Sequence, residues 1–226
     1  MVMRFLKFCG LILSVFLVHG CLKDTFLDDR VEPKLEIVSY ASSLKRTDYF
    51  QFEARFLDEV GRPAIKQWSW RTNHDTILEV SNTGLVSAIN YGEARVYVEM
   101  EEAPFLKDSL LVTIADTTIL ASSDRRGVLA SSSSYALRGD FMLVQVGNDL
   151  RLDLLETFYT SDAIPGLFVY LSNNPNSIDQ AFEIGRVTQF AGAHSYTFSG
   201  PQLRDFSYVL FYCKPFNARV GHGQML

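Results

Sequence analysis

The side chains of this chain best able to do chemistry are three cysteines, Cys9, Cys21 and Cys213, and four histidines, His19, His74, His194 and His222. A thiolate attacks electrophiles, exchanges disulfides or ligates a metal or haem, and an imidazole moves protons or ligates. Their spacing makes no zinc pattern, and the chain carries no phosphate-binding loop and no nucleophile elbow. His74 beside Asp75 falls in a polar stretch without a further ligand nearby, so it reads as a solvated loop and no metal is expected. Asp28-Asp29 and Glu101-Glu102 read as solvated charge, not as a general acid and base. As a bare count, three cysteines look like one disulfide and a spare.

Position along the chain changes that count. Arg4 and Lys7 open a basic start, and Phe8 to Val18 is apolar or small throughout. Eleven residues rise about 16 Å as a helix, short of a bilayer core of roughly 30 Å, so residues 1–20 read as an export signal. Val18-His19-Gly20-Cys21 follows and resembles the lipobox of bacterial lipoproteins, in which the cysteine is lipidated and becomes the new N-terminus. The resemblance implies an exported protein, lipid-anchored in the bacterial cell envelope, with the outer membrane as the expected site. Loss of the leader removes Cys9, two of the 21 basic residues and none of the 26 acidic ones, so the net charge moves from −5 to −7. With Cys21 under lipid, Cys213 is the one thiol left and no internal disulfide can form. The acidic balance disfavours nucleic acid as a partner, because phosphate binding needs a basic surface. Residues 21–34 contain the acid-rich stretch Lys23 to Lys34 and read as a solvated tether.

The elements that must position Cys213 are strands. Helical periodicity is nearly absent, and short alternating runs bounded by Gly, Asn, Asp and Pro recur. The fold class expected is all-β, two β-sandwich-like domains in tandem. In residues 35–115, Phe50, Phe52, Ala54 and Phe56 alternate with polar neighbours, and Ala94, Val96, Val98 and Met100 do the same. Trp68 and Trp70 share parity, with Trp70 expected in the core. Trp70, then Val80, Gly84, Val86 and Ala88, then Gly92, Ala94 and Val96, then Leu111 to Ile114, is an order that resembles the group 2 bacterial immunoglobulin-like domain. That family usually has a glycine turn before the strand read here as Phe50 to Phe56; this chain has Leu44-Lys45-Arg46-Thr47-Asp48.

Residues 116–226 form the second unit. Asp116 to Ser123 reads as a short linker, and Gly127-Val128-Leu129 begins the new fold. Leu150, Leu152 and Leu154 alternate after a turn at Gly147-Asn148-Asp149. Ser177 to Ile184 is expected to form one short helix. Phe206 to Cys213 is apolar but for Ser207, which suits a strand buried on both faces, and Lys214-Pro215 ends it. Parity puts Cys213 on one face with Val209 and Phe211, opposite Tyr208, Leu210 and Tyr212. A thiol so placed ordinarily behaves as a small hydrophobe. His194 after Gly192-Ala193 reads as a turn residue, and His222 between Gly221 and Gly223 as a flexible, exposed one.

Gly139-Asp140-Phe141, Pro165-Gly166-Leu167-Phe168-Val169-Tyr170-Leu171-Ser172, Gly185-Arg186-Val187, Gly192-Ala193-His194-Ser195-Tyr196 and Tyr208 to Phe216 occur in that order. The series resembles the DM-thirteen domain, also called an electron-transfer domain. The resemblance implies a redox role for Cys213, as a bare thiol or as a ligand to a prosthetic group such as haem. A disulfide relay would need a second thiol, so intermolecular or sulfenate chemistry is what remains to a bare one. His194 and His222 are the histidines a haem could recruit. The function expected is an envelope lipoprotein whose C-terminal domain takes part in redox chemistry through Cys213, held off the membrane by an immunoglobulin-like spacer. The alternative is a non-catalytic surface module that binds glycan or another envelope protein, in keeping with 17 Phe, 10 Tyr and 2 Trp in the chain.

Overall fold

A computed structural model of the protein describes residues 29–120 and 124–226. The leader, Cys21 and most of the tether lie outside the described residues. The protein is all-β, two β-sandwich-like units in tandem, the first immunoglobulin-like. Among the described residues the first unit holds β1 (Lys34–Ile37), β2 (Ala41–Lys45), β3 (Tyr49–Gln51), β4 (Ala54–Leu57), β5 (Pro63–Ala64), β6 (Trp68–Thr72), β7 (Leu78–Val80), β8 (Leu85–Ala88), β9 (Gly92–Met100), β10 (Lys107–Ala115) and β11 (Ile119–Leu120). One sheet runs β11-β2-β10-β9-β6, and β3-β8-β7 and β1-β4-β5 pack against it. The pairing of β10 with β2 is parallel and every other pair is antiparallel.

Alternation sets which face is buried. Ala94, Val96, Val98 and Met100 point inward along β9 while Glu93, Arg95, Tyr97 and Glu99 do not. Trp70 is buried beside Phe52, ring centroids 6.4 Å apart, and Trp68 is half-buried. Gly84 has φ +86, and a Cβ there would lie 2.6 Å from the Phe52 carbonyl oxygen and 2.9 Å from the Trp70 ring. Only glycine fits that turn.

Where the immunoglobulin-like family usually turns on glycine, Thr47 takes φ +76. A β-branched residue in the left-handed region costs about 1–2 kcal/mol. The turn persists because Thr47 N–H donates to Ala88 O at 2.9 Å and Asp48 N–H to Lys45 O at 2.9 Å. Thr47→Gly is expected to stabilise the protein by about 0.5–1 kcal/mol after the greater freedom of glycine in the unfolded chain is subtracted. A denaturation midpoint that falls instead would show that the Thr47 side chain is worth more than its strain.

The stretch Asp116 to Leu120 is not a free linker. Ser43 Oγ donates to Thr117 O at 2.8 Å, Thr118 Oγ1 donates to Asp48 Oδ2 at 2.7 Å, and β11 pairs with β2. These bonds fix a segment whose composition reads as flexible.

The second unit holds β12 (Asp124–Ser131), β13 (Leu137–Val146), β14 (Asp149–Leu154), β15 (Tyr159–Thr160), β16 (Leu167–Ser172), β17 (Phe182–Arg186), β18 (His194–Phe198), β19 (Tyr208–Cys213) and β20 (Ala218–Gln224). They form one antiparallel sheet in the order β17-β16-β19-β20-β12-β13-β14-β18, with β15 on β13. The sheet folds over so that β13 and β14 face β16 and β19 across one core, with Phe158 and Phe211 rings 5.7 Å apart. Its two outermost strands meet through Phe182 and Phe198, 5.5 Å apart.

Ser177 to Ile184 forms no helix. Asn174 Oδ1 accepts from the Asn176 N–H and Ser177 Oγ from the Asp179 N–H, and Gln180 has φ +58. Local side-chain bonds of this kind compete with helical ones, and the left-handed residue stops a helix outright. Phe182 onward instead pairs with β16. The loop before it covers the outer face of β16 and β19, where Ile178 and Ala181 pack on Tyr170, Leu210 and Tyr212. This is why β19 is buried on both sides.

Candidate functional site

Cys213 is the last residue of β19, directly opposite Leu167 on β16 and Ala218 on β20. Its side chain is 4% exposed and lies in the main core of the second unit. The Sγ–H donates to Pro165 O at 3.2 Å. The chain then turns through Lys214–Phe216, and Pro215 packs so close to Gly166 that a Cβ there would lie 2.6 Å from it. That contact explains glycine after Pro165.

The histidines are elsewhere. His222 pairs with Leu210, so it shares the outer face of the sheet while Cys213 faces the core. Three strand positions, about 10 Å, also separate Leu210 from Cys213 along β19. His194 sits at the start of β18, where its ring meets Phe158 at 5.2 Å, and Phe158 in turn meets Phe211. With its proton on Nδ1, His194 donates to Gly192 O at 3.0 Å, and Nε2 accepts from the Tyr196 hydroxyl at 3.4 Å. The structure therefore brings neither histidine to Cys213, and Cys213 lines none of the hollows at the surface described below. A haem needs an open slot beside its ligand, and the packed residues around Cys213 do not fit one.

His222 is not a flexible, exposed residue. It is half-buried, its ring packs edge-on to Tyr208 at 5.7 Å, and its Nδ1 is buried without a partner. The neighbouring glycines serve close packing: a Cβ on Gly221 would lie 2.3 Å from Ala130 O, and one on Gly223 would lie 2.5 Å from the Phe141 ring. Burial, helped by the Arg219 charge, pushes the His222 pKa down. The unfolded chain then binds a proton that the folded one refuses, so stability falls as pH drops below the ordinary histidine value of about 6.5 toward the lowered folded one. In His222→Gln, unfolding free energy should vary less over that window than in the parent protein; an identical slope would overturn the assignment.

The richest polar geometry joins the two units. Asn174 is 2% exposed, and its Nδ2 donates to Asp29 O at 2.6 Å and Val60 O at 3.0 Å. Arg62 Nε donates to Asp179 Oδ2 at 3.0 Å. Arg55 bonds both Asp205 O and the Glu36 carboxylate, and Arg204 lies over the Tyr40 ring at 4.5 Å. Burial alone would raise the Glu36 pKa; hydrogen bonds from Lys34 and Arg55 outweigh it and hold the carboxyl below the usual range. Within the second unit, Arg125 gives Nη2 to Met225 O at 2.8 Å and Nη1 to Phe206 O.

Beside this joint is a crease of about 270 Å³ walled by both units. Glu32, Lys34 and Leu57 line one side, and Asn173, Tyr208 and Gln224 the other. Residues 31 to 34, tether in the sequence reading, form part of this wall, with Val31 N–H on Glu59 O at 2.8 Å. Two further hollows of about 420 and 650 Å³ flank exposed Val128 on the outer face of β12 and β13. Among the described residues no three of His, Cys, Asp and Glu gather as a metal site. Sequence patterning misses the joint and the crease, since each is built from loop residues and strand ends more than a hundred positions apart.

No family model and no curated protein matches the chain. Among solved structures, an intimin mutant of EHEC O157:H7 matches at 17% identity and TM-score 0.24, over 47% of this chain and 53% of that one. Domains 4–9 of the surface layer protein SbsC match at 12% identity and TM-score 0.33, over 86% of this chain and 31% of that one. Domains 4 and 5 of the same protein match at 13% identity and TM-score 0.31, over 87% and 96%. This chain thus spans about half of the intimin chain and about a third of the longer SbsC one. The description of the fold rests on the strands themselves.

Proposed function

We propose that the protein is an exported, lipid-anchored envelope protein that works by binding, with the two β units held as one body by their joint. The observation that carries this reading is the joint: Asn174, buried and bonded to both Asp29 and Val60, fixes the second unit against the first and creates a crease that neither unit has alone. Fixed relative placement is of use to a surface that must present one binding geometry, since it removes the ordering cost on association. The anchor is Cys21, on the lipobox resemblance. Labelled palmitate should enter the protein in cells and fail to enter Cys21→Ala. For the binding role, the exported chain is applied to an oligosaccharide array and to solubilised envelope proteins. Binding to neither would overturn the reading.

The second reading follows from the DM-thirteen resemblance and gives Cys213 a redox role. In its favour, Cys213 is a free thiol at the end of a strand, beside a turn. Against it stand its burial and its bond to Pro165 O. Native-state alkylation separates the two.

A further inference from the structure

The crease carries an inference that rests on the binding reading and narrows it. We propose that it is a saccharide site, sized for one sugar ring, with walls from both units. At about 270 Å³ it lies below the roughly 300–1,000 Å³ of sites for drug-sized ligands. Its chemistry is that of a hydroxyl-rich, neutral ligand. Two carboxamides, Asn173 and Gln224, a carboxylate, Glu32, and a phenol ring, Tyr208, converge on it. Amides and carboxylates can each take more than one hydroxyl, and the face of a phenol ring covers the C–H side of a sugar. The Tyr208 ring is held in place by its edge contact with His222. Asn173 is oriented by its Nδ2 bond to Asp205 O at 2.9 Å, while its Oδ1 is buried without a donor. Glu32 and Lys34 bring opposite charges to one wall, and Lys34 is paired with Glu36, so the crease carries no strong field of one sign to select an anionic or cationic ligand.

The test uses the whole exported chain on an oligosaccharide array, followed by titration of the saccharide that binds. Tyr208→Ala, Gln224→Ala and, from the other unit, Glu32→Gln should each weaken binding by about tenfold, the worth of one well-placed contact. Tyr208→Phe keeps the ring and should lose less than Tyr208→Ala, which also guards against a folding artefact. Trp68→Ala, in the first unit away from the crease, should change nothing. Saccharide binding that ignores the crease variants overturns the site and leaves the binding reading standing. No saccharide binding, with an envelope protein captured instead, overturns the site alone. Binding to neither overturns both.

Discussion

The chain produced from residue 21 onward with Cys21→Ser, so that Cys213 is its one thiol, is expected in its folded state to react with iodoacetamide at least about a thousandfold more slowly than in denaturant. The thiol is 4% exposed and donates to Pro165 O, with Leu167 and Ala218 beside it in the ladder. A reagent reaches it only through an opening that parts β19 from a neighbour. Opening a central strand approaches the global stability of about 5–15 kcal/mol, and every 1.4 kcal/mol is a factor of ten. Reaction within tenfold of the denatured rate would mean an accessible thiol and would return the redox reading to first place. Cys213→Ser should meanwhile leave ligand binding unchanged, because the crease lies on the other face of the sheet.

The second large effect is expected at Gly127. A Cβ there would sit 2.2 Å from Gln224 O and 2.5 Å from the Phe141 ring. Neither neighbour is free to yield: one is backbone of β20, and Phe141 is 1% exposed in the core. Gly127→Ala must therefore push β12 from β20 or turn Phe141 out of its place, and about 3 kcal/mol or more should be lost. For a chain of this size that lowers the melting temperature by roughly 6–12 °C. Gly147→Ala is the control. Its φ is +65 with nothing within 4 Å of the added atom, so only the left-handed backbone is strained, at about 1–2 kcal/mol. Equal losses at the two positions would show that β12 and β20 are not packed as described.

Much of the fold was legible because alternation is a local signal. Leu150, Leu152 and Leu154, or Ala94 to Met100, announce their buried face within a few residues. The turn at Gly84 and the burial of Trp70 were legible for the same reason. Cys213 was placed on its face by parity with Val209 and Phe211, and the structure puts all three in one core. What failed was whatever depends on distant partners. Asp116 to Leu120 has the composition of a linker, but its bonds go to residues some seventy positions earlier. His222 looked mobile because glycine on each side permits freedom, whereas here both glycines let β12 and Phe141 approach. The signal in the sequence was faint: Gly127, Gly221 and Gly223 are small because Leu137 and Phe141 are large. The helix expected from Ser177 was overridden by Asn and Ser side chains that bond their own backbone.

The order of strands in the second unit has a consequence for when it folds. β12, first in the chain, lies between β13 and β20, and Ala130 pairs with His222. The sheet therefore cannot close until nearly the last residues have arrived. Pairing across about ninety residues is slow to form, on the order of milliseconds to seconds. A chain delivered N-terminus first through a narrow channel would hold this half open until its end emerged. The first unit differs, since β9 and β10 are near neighbours in sequence and can pair early. Folding would then run in the order of delivery, with the joint and its crease completed last.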